Sequence, residues 1–428
     1  MLKVWEWAEE KLTTEDINSK LLLATDNEGM TALHEAACKG KLDILLKLWE
    51  WAEEKLTTEK INKLLLATDY EGRTACHYAA HSGYLDILLK VWEWAEEKLT
   101  TEDIRNKLLL ATDNEGMTTW HTAAYNGRLD VLLKLWEWAE ENLTKEETNN
   151  ELLLATNDKG WTAWHYAAHY GYLDVLLKVW EWAQEKLTTE EINNKLLLAR
   201  DNEGMTAWHW AAYKGKLDIM LQVWEWAEEK LTTEEVNSKL LLATDNKGMT
   251  ALHKAAWMGN LDVLLKIWQW AEEKLTTEEI NSKLLLATDN EGMTAWHRAA
   301  RQGKLDVLLI VWEWAEEKLT TVEIKNKLLL ATDNAGMTAW HRAASQWKLD
   351  VLLKVWKMAE EKLTIKELNN KLLLATDNKG MTALHEAACK GNLDILLKVW
   401  EWAEEKLTIE EINNELLLLA TDKEGRSV

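Results

Sequence analysis

Nine histidines stand at a fixed spacing: His34, His77, His121, His165, His209, His253, His297, His341 and His385. The first interval is 43 residues and the following seven are 44 each. Imidazole binds metals and moves protons near neutral pH, so a histidine ladder invites both readings. It suits neither. Packed helices would set successive copies roughly 8–10 Å apart, whereas one ion needs bonds of about 2 Å from each ligand. No nucleophile–base set, phosphate-cradling glycine loop or paired carboxylate stands out from the repeat. Cys38, Cys76 and Cys389 share no metal or redox spacing. The chain reads as non-enzymatic, with no cofactor and no metal, and the nine histidines as structural.

Chemistry of another kind lies where the repeats differ. Four positions change from copy to copy: the one after the histidine, the two after the paired alanines, and the one after the glycine that follows. The second copy has Tyr78, His81, Ser82 and Tyr84, and the third Thr122, Tyr125, Asn126 and Arg128. Next come Tyr166, His169, Tyr170 and Tyr172, then Trp210, Tyr213, Lys214 and Lys216, then Lys254, Trp257, Met258 and Asn260. Arg298, Arg301, Gln302 and Lys304 precede Arg342, Ser345, Gln346 and Lys348. The outer copies carry Glu35, Cys38, Lys39 and Lys41 at one end, and Glu386, Cys389, Lys390 and Asn392 at the other. Seven of the eight tyrosines fall in this set, and twelve of its members are Lys or Arg in a chain of net charge −23. Drift at exposed sites does not explain the diversity, because an Asp expected to be equally exposed (Asp43, Asp86, Asp218 and equivalents) is present in all nine copies. Tyrosine-rich, locally varied surfaces are what binding paratopes use, giving large contact area at low entropic cost.

A short helix must position these residues, since the first three variable sites are spaced i, i+3, i+4 and share one helical face. Each repeat opens with a turn such as Asp201-Asn202-Glu203-Gly204-Met205, rich in turn formers. Thr206 then caps the short helix and Gly215 ends it in a left-handed conformation. Trp347 stands where that glycine belongs, which predicts strain or a changed turn. A longer helix follows over Leu217–Leu231, its polar residues Asp218, Gln222, Glu225 and Glu229 forming one narrow stripe. Nineteen of the 28 tryptophans lie on such helices and read as stacked core. Thr232 and Glu235 make a capping box for a third helix.

The expected architecture is an all-α repeat solenoid with three helices per repeat, a superhelical array on the order of 80–100 Å long. Residues 1–25 read as the back half of a repeat. Nine repeats fill 26–421, starting near Asp26, Asp69, Asp113, Asn157, Asp201, Asp245, Asp289, Asp333 and Asp377, and residues 422–428 open a tenth. The stretch Ile61-Asn62-Lys63-Leu64 lacks one residue, and Glu415-Leu416-Leu417-Leu418-Leu419 has one extra.

The turn Asp-Asn-Glu-Gly-Met-Thr, followed by Ala-Leu/Trp-His-x-Ala-Ala-x-x-Gly-x-Leu-Asp, resembles the ankyrin repeat. Two departures stand out: Ala207 and its equivalents replace the family's proline, and about eleven extra residues exceed its usual 33. The resemblance implies a loop-and-two-helix core, histidines hydrogen-bonded between turns, the variable face on a concave side, and a binding scaffold rather than an enzyme.

On that reading the partner is a protein or peptide. Tyr166, Tyr170, Trp210, Tyr213 and Trp257 serve as apolar anchors, and Arg298, Arg301 and Arg342 pair with acidic groups. The negative charge argues against nucleic acid, although an aromatic and basic groove could take a single strand. A structural alternative is end-to-end stacking through uncapped terminal repeats, with Trp5 and Trp7 seeking a partner. No apolar run approaches a membrane span. The first residues, Met1 to Trp7, turn acidic at once, unlike a signal peptide, so a cytoplasmic location is expected. The absence of proline and phenylalanine suits either a recently homogenised array or an engineered one.

Overall fold

The computed structural model describes residues 21–412 and Leu416. They divide into two compact units, one within Met1–Asn202 and the other within Glu203–Val428. The terminal half-repeats, and with them Trp5 and Trp7, lie outside the described residues apart from 21–25. Both units are all-helical: among the described residues no strand forms, and isolated bridges join Thr25 to Thr31 and Thr112 to Thr118. No described helix is long and apolar enough to cross a membrane.

Within each unit one local structure recurs. In the second unit it runs through a short helix Ala207–Lys214, a long helix Leu217–Lys230 and a third, two-part helix. The turn before the short helix is closed by its leading aspartate, as where Asp289 Oδ1 accepts the N–H groups of Glu291 and Met293 at 2.9 and 3.0 Å. Successive turns are laced together. The Asn334 N–H donates to the Glu291 carbonyl at 2.9 Å, and its Nδ2 donates to the Asn290 carbonyl at 2.9 Å. In the first unit Asn114 does the same to Glu71 and Tyr70.

The histidines tie the short helix to the stretch that leads into the next repeat's turn. Thr250 donates its backbone N–H to His253 Nδ1 at 3.4 Å, and its hydroxyl lies 2.8 Å from the same nitrogen. An Nδ1 that accepts leaves the proton on Nε2, which donates at 3.0 Å to the Ala287 carbonyl, two residues before the next repeat's turn opens. His34, His121 and His297 repeat the arrangement toward Ala67, Ala155 and Ala331. With both nitrogens committed inside the protein, these side chains offer no lone pair to a metal. Burial is the main reason their pKa values fall below the ordinary imidazole range, to about 4 for His121.

The long helices bury their tryptophans against one another. Trp92 stacks on Trp138 with centroids 4.0 Å apart, and Trp268 on Trp314 at 4.0 Å. Trp136 with Trp182 and Trp224 with Trp270 follow the same plan. Each pair joins the first tryptophan of one long helix to the second of the next, so the stacks span the junctions between repeats. The polar stripe is wet, although Leu221 shares it at 41% exposure.

The third helix departs from plain α geometry. It starts as α-helix over Thr233–Glu235, then widens through Val236–Leu241, where the Leu242 N–H reaches the carbonyl of Asn237 five residues back. Such a turn holds one more residue than an α-helix. The repeat that lacks a residue shows the complement: Thr58–Leu65 is α-helical throughout, and the Leu66 N–H donates to Asn62, four residues back. The missing residue is the one the wide turn would absorb. The wide turn also serves the next repeat. Asn237 Nδ2 donates to the Lys274 carbonyl at 3.1 Å and Asn281 to Lys318 at 3.0 Å, satisfying carbonyls left over at the long helix's C-terminus.

Trp347 adopts φ 63°, the one positive φ outside glycine among the described residues, while its side chain is 59% exposed. The ring therefore contributes little packing against the left-handed backbone penalty. Trp347→Gly is expected to stabilise the second unit by about 1 kcal/mol, read as a higher denaturation midpoint. An unchanged or lower midpoint would show that the indole makes up for its backbone.

Candidate functional site

The variable positions separate into two groups once their surroundings are seen. The first lies directly after the histidine and is buried in six of the nine copies. Oδ1 of the turn aspartate is used by backbone N–H groups, which leaves Oδ2 buried and in need of a donor. In four copies the post-histidine side chain supplies it. The Tyr78 hydroxyl donates to Asp69 Oδ2 at 2.6 Å. Lys254 Nζ stands 2.6 Å from Asp245 Oδ2, both side chains almost fully buried. The Arg298 guanidinium binds Asp289 Oδ2 through Nε at 2.7 Å and reaches Glu291 at 2.9 Å. Arg342 Nε lies 2.5 Å from Asp333 Oδ2. Where the turn opens with an amide, Asn157 Nδ2 donates to the Tyr166 hydroxyl at 2.8 Å.

This corrects part of the sequence reading. At Tyr78, Lys254, Arg298 and Arg342 the diversity after the histidine reflects several chemistries that answer one buried oxygen, and Tyr78, Tyr166, Lys254 and Arg298 are buried. Arg298 and Arg342 already hold carboxylates of their own chain and are not free to pair with a partner's. Arg301, half-buried, reaches Glu291 at 3.2 Å. In the last copy two acids meet, and Glu386 is pushed above the usual carboxyl range, first by burial and then by Asp377.

The second group faces outward. In the first unit Tyr125 packs edge-on against Tyr166 and Tyr170, with centroids 5.4 and 4.9 Å apart. Tyr170 also meets His169 at 4.6 Å and Tyr172 at 5.9 Å. Asn126 Nδ2 donates to His81 Nδ1 at 3.2 Å. Residues after the glycine lean back over the glycine of the preceding repeat. The Tyr84 ring lies over Gly40, the Arg128 stem over Gly83 and the Tyr172 ring over Gly127, each so close that a Cβ would come within 3 Å. In the second unit Trp210 meets Tyr213 at 5.9 Å, and Tyr213 meets Trp257 at 6.1 Å. Lys214 Nζ sits 5.2 Å from the Tyr213 ring centre, and Met258 is 36% exposed.

Residues 19–103 and 183–274 match a family model for ankyrin repeats in three copies, and residues 379–398 match one for the single ankyrin repeat. The chain contains ankyrin repeats. A search of curated proteins finds no match. Ankyrin repeats are generally protein-interaction scaffolds and typically non-catalytic, which fits a site built from aromatic edges and amines.

Two residues of this ankyrin face escaped the sequence reading. Trp161 contacts Tyr166 at 4.9 Å and His169 at 5.0 Å. Arg73 lies over the Tyr78 ring at 4.9 Å and holds Asp69. Both replace the methionine that every other full copy has before its capping threonine. That departure was the available signal.

Proposed function

We propose that this chain is a non-catalytic scaffold that binds a protein or peptide through the outward variable residues of its short helices. The observation that carries the reading is the Tyr125, His169, Tyr170 and Tyr172 cluster of the first unit. Tyr125 is 37% exposed, and its ring contacts at 5.4 and 4.9 Å are to other members of the variable set. Rigid tyrosines grouped on one face suit a binding hot spot, where a few aromatic anchors dominate affinity.

The test compares partner capture by the native chain and by a variant carrying Tyr125→Ser, Tyr170→Ser and Tyr172→Ser, with helicity matched by circular dichroism. A partner bound at least tenfold more weakly by the variant is the expected outcome, since central aromatic anchors are worth about 2 kcal/mol or more. Equal capture would move the binding face elsewhere.

A further inference from the structure

The second unit has a feature that the count of basic residues conceals. Lys254, Arg298, Arg301 and Arg342 are consumed by Asp245, Asp289, Glu291 and Asp333. On the long-helix side, Lys274, Lys318, Lys362 and Lys406 are likewise paired with carboxylates of the preceding repeat. Lys214, Lys216, Lys304 and Lys348 differ: none makes an ion pair with a described carboxylate. The stems of Lys304 and Lys348 are laid over Gly259 and Gly303, where a Cβ would meet Cδ at 2.7 and 2.6 Å. Glycine at those sites lets each lysine lie flat and present its ammonium beyond. The same face carries the Tyr213–Trp257 edge contact at 6.1 Å.

We infer that this face of the second unit takes an acidic peptide segment. Its carboxylates sit on Lys214, Lys216, Lys304 and Lys348, and an apolar side chain lies against the edges of Tyr213 and Trp257. The inference rests on the scaffold reading above and adds the chemistry of the partner. Charge complementarity selects the occupant: these amines are uncompensated, while the chain's net charge of −23 repels an acidic segment from the surface at large. A single nucleic acid strand carries the same charge but needs open aromatic faces on which to stack its bases. Here cations already lie over those rings. Lys214 and Lys254 lie 5.2 and 5.8 Å from the Tyr213 ring centre, and the Arg298 guanidinium lies 5.0 Å from that of Trp257. A base would have to displace these cations to stack, whereas an apolar side chain can lie against the ring edges.

The experiment selects a random dodecapeptide phage library on the full chain. Fluorescein-labelled winners, and a labelled twelve-nucleotide oligothymidine, are then titrated against the chain and against Lys304→Glu/Lys348→Glu. Enrichment in Asp and Glu with at least one apolar residue is expected, together with at least tenfold weaker binding to the charge-reversed variant and further weakening as salt rises. If that variant loses helicity, Lys304→Gln/Lys348→Gln replaces it, with a smaller loss expected in the same direction. Winners without acidic enrichment, insensitive to both lysine variants but lost with Tyr125→Ser/Tyr170→Ser, overturn this inference and leave the scaffold reading standing. Oligothymidine binding as tight as the peptides overturns it in favour of nucleic acid. A library that yields no binder overturns both.

Discussion

Asp289→Ala destabilises the second unit by about 3–5 kcal/mol, the cost of leaving a buried charge without its partner. Arg298 is 2% exposed and Asp289 fully buried, so neither water nor a rotamer change can readily rescue the guanidinium. Glu291 compensates only in part, being 55% exposed and on the rim. The double variant Asp289→Ala/Arg298→Met recovers most of the loss, because a methionine of similar length asks for no counter-charge. Urea midpoints of the wild type, both single variants and the double variant form a cycle whose coupling energy reads the pair directly. A loss below about 1 kcal/mol for Asp289→Ala would mean that the arginine swings out, and that its side chain is available on the surface after all. Lys254 with Asp245, nearly as buried, is expected to follow the same pattern.

The second large effect is acid lability well above the carboxylate range. His34, His77, His121, His253, His297 and His341 all have pKa values depressed chiefly by burial, His121 to about 4. An unfolded histidine takes up its proton below about pH 6.5, whereas folded His121 stays neutral down to about pH 4. Across that window the unfolded chain binds more protons, so stability rises with pH and falls as the solution is acidified. The neutral ladder is fully stabilising above pH 6.5 and fades progressively below it. For His121 alone the loss amounts to roughly 3 kcal/mol by pH 4. Urea unfolding followed between pH 8 and pH 4.5 is expected to show proton uptake on unfolding throughout the lower half of that range. A profile flat from pH 7 to pH 5 would contradict the geometry at Nδ1 and Nε2.

The histidine ladder was readable from spacing because one residue per repeat at a constant period leaves few alternatives. The turn, the cap at Thr206, the left-handed Gly215 and the oddity of Trp347 were readable for a similar reason, as each is a local backbone requirement. The destination of Asp289 Oδ2 was not. Its partner stands nine residues on, past the turn and in the first turn of the capped helix, and only the folded turn shows which oxygen the backbone leaves free. At Tyr78, Lys254, Arg298 and Arg342, variation after the histidine therefore looked like surface diversity when it was an internal negotiation with a carboxylate. The wide turn at Val236–Leu241 was also hidden, since an inserted residue in a helix preserves its apolar pattern for most of its length. The clue lay in the shorter Ile61–Leu64 stretch, whose meaning appears only when both hydrogen-bond registers are compared.

The stacked indoles of the long helices have a consequence for how unfolding can be watched. Two chromophores held parallel 4.0 Å apart, as Trp92 with Trp138 and Trp268 with Trp314, couple their transition dipoles, and the coupling vanishes once the rings part. Because each pair straddles a junction between repeats, its circular-dichroism couplet reports the closure of that junction rather than the helicity of either side. Met358 occupies the site where the eighth copy would carry its second tryptophan, which leaves that junction optically silent. In a linear array whose stability is approximately a sum over units and interfaces, the chain thus carries its own distributed set of gauges. Replacing one tryptophan at a time would switch off one gauge and show whether the array melts from an end or opens in the middle.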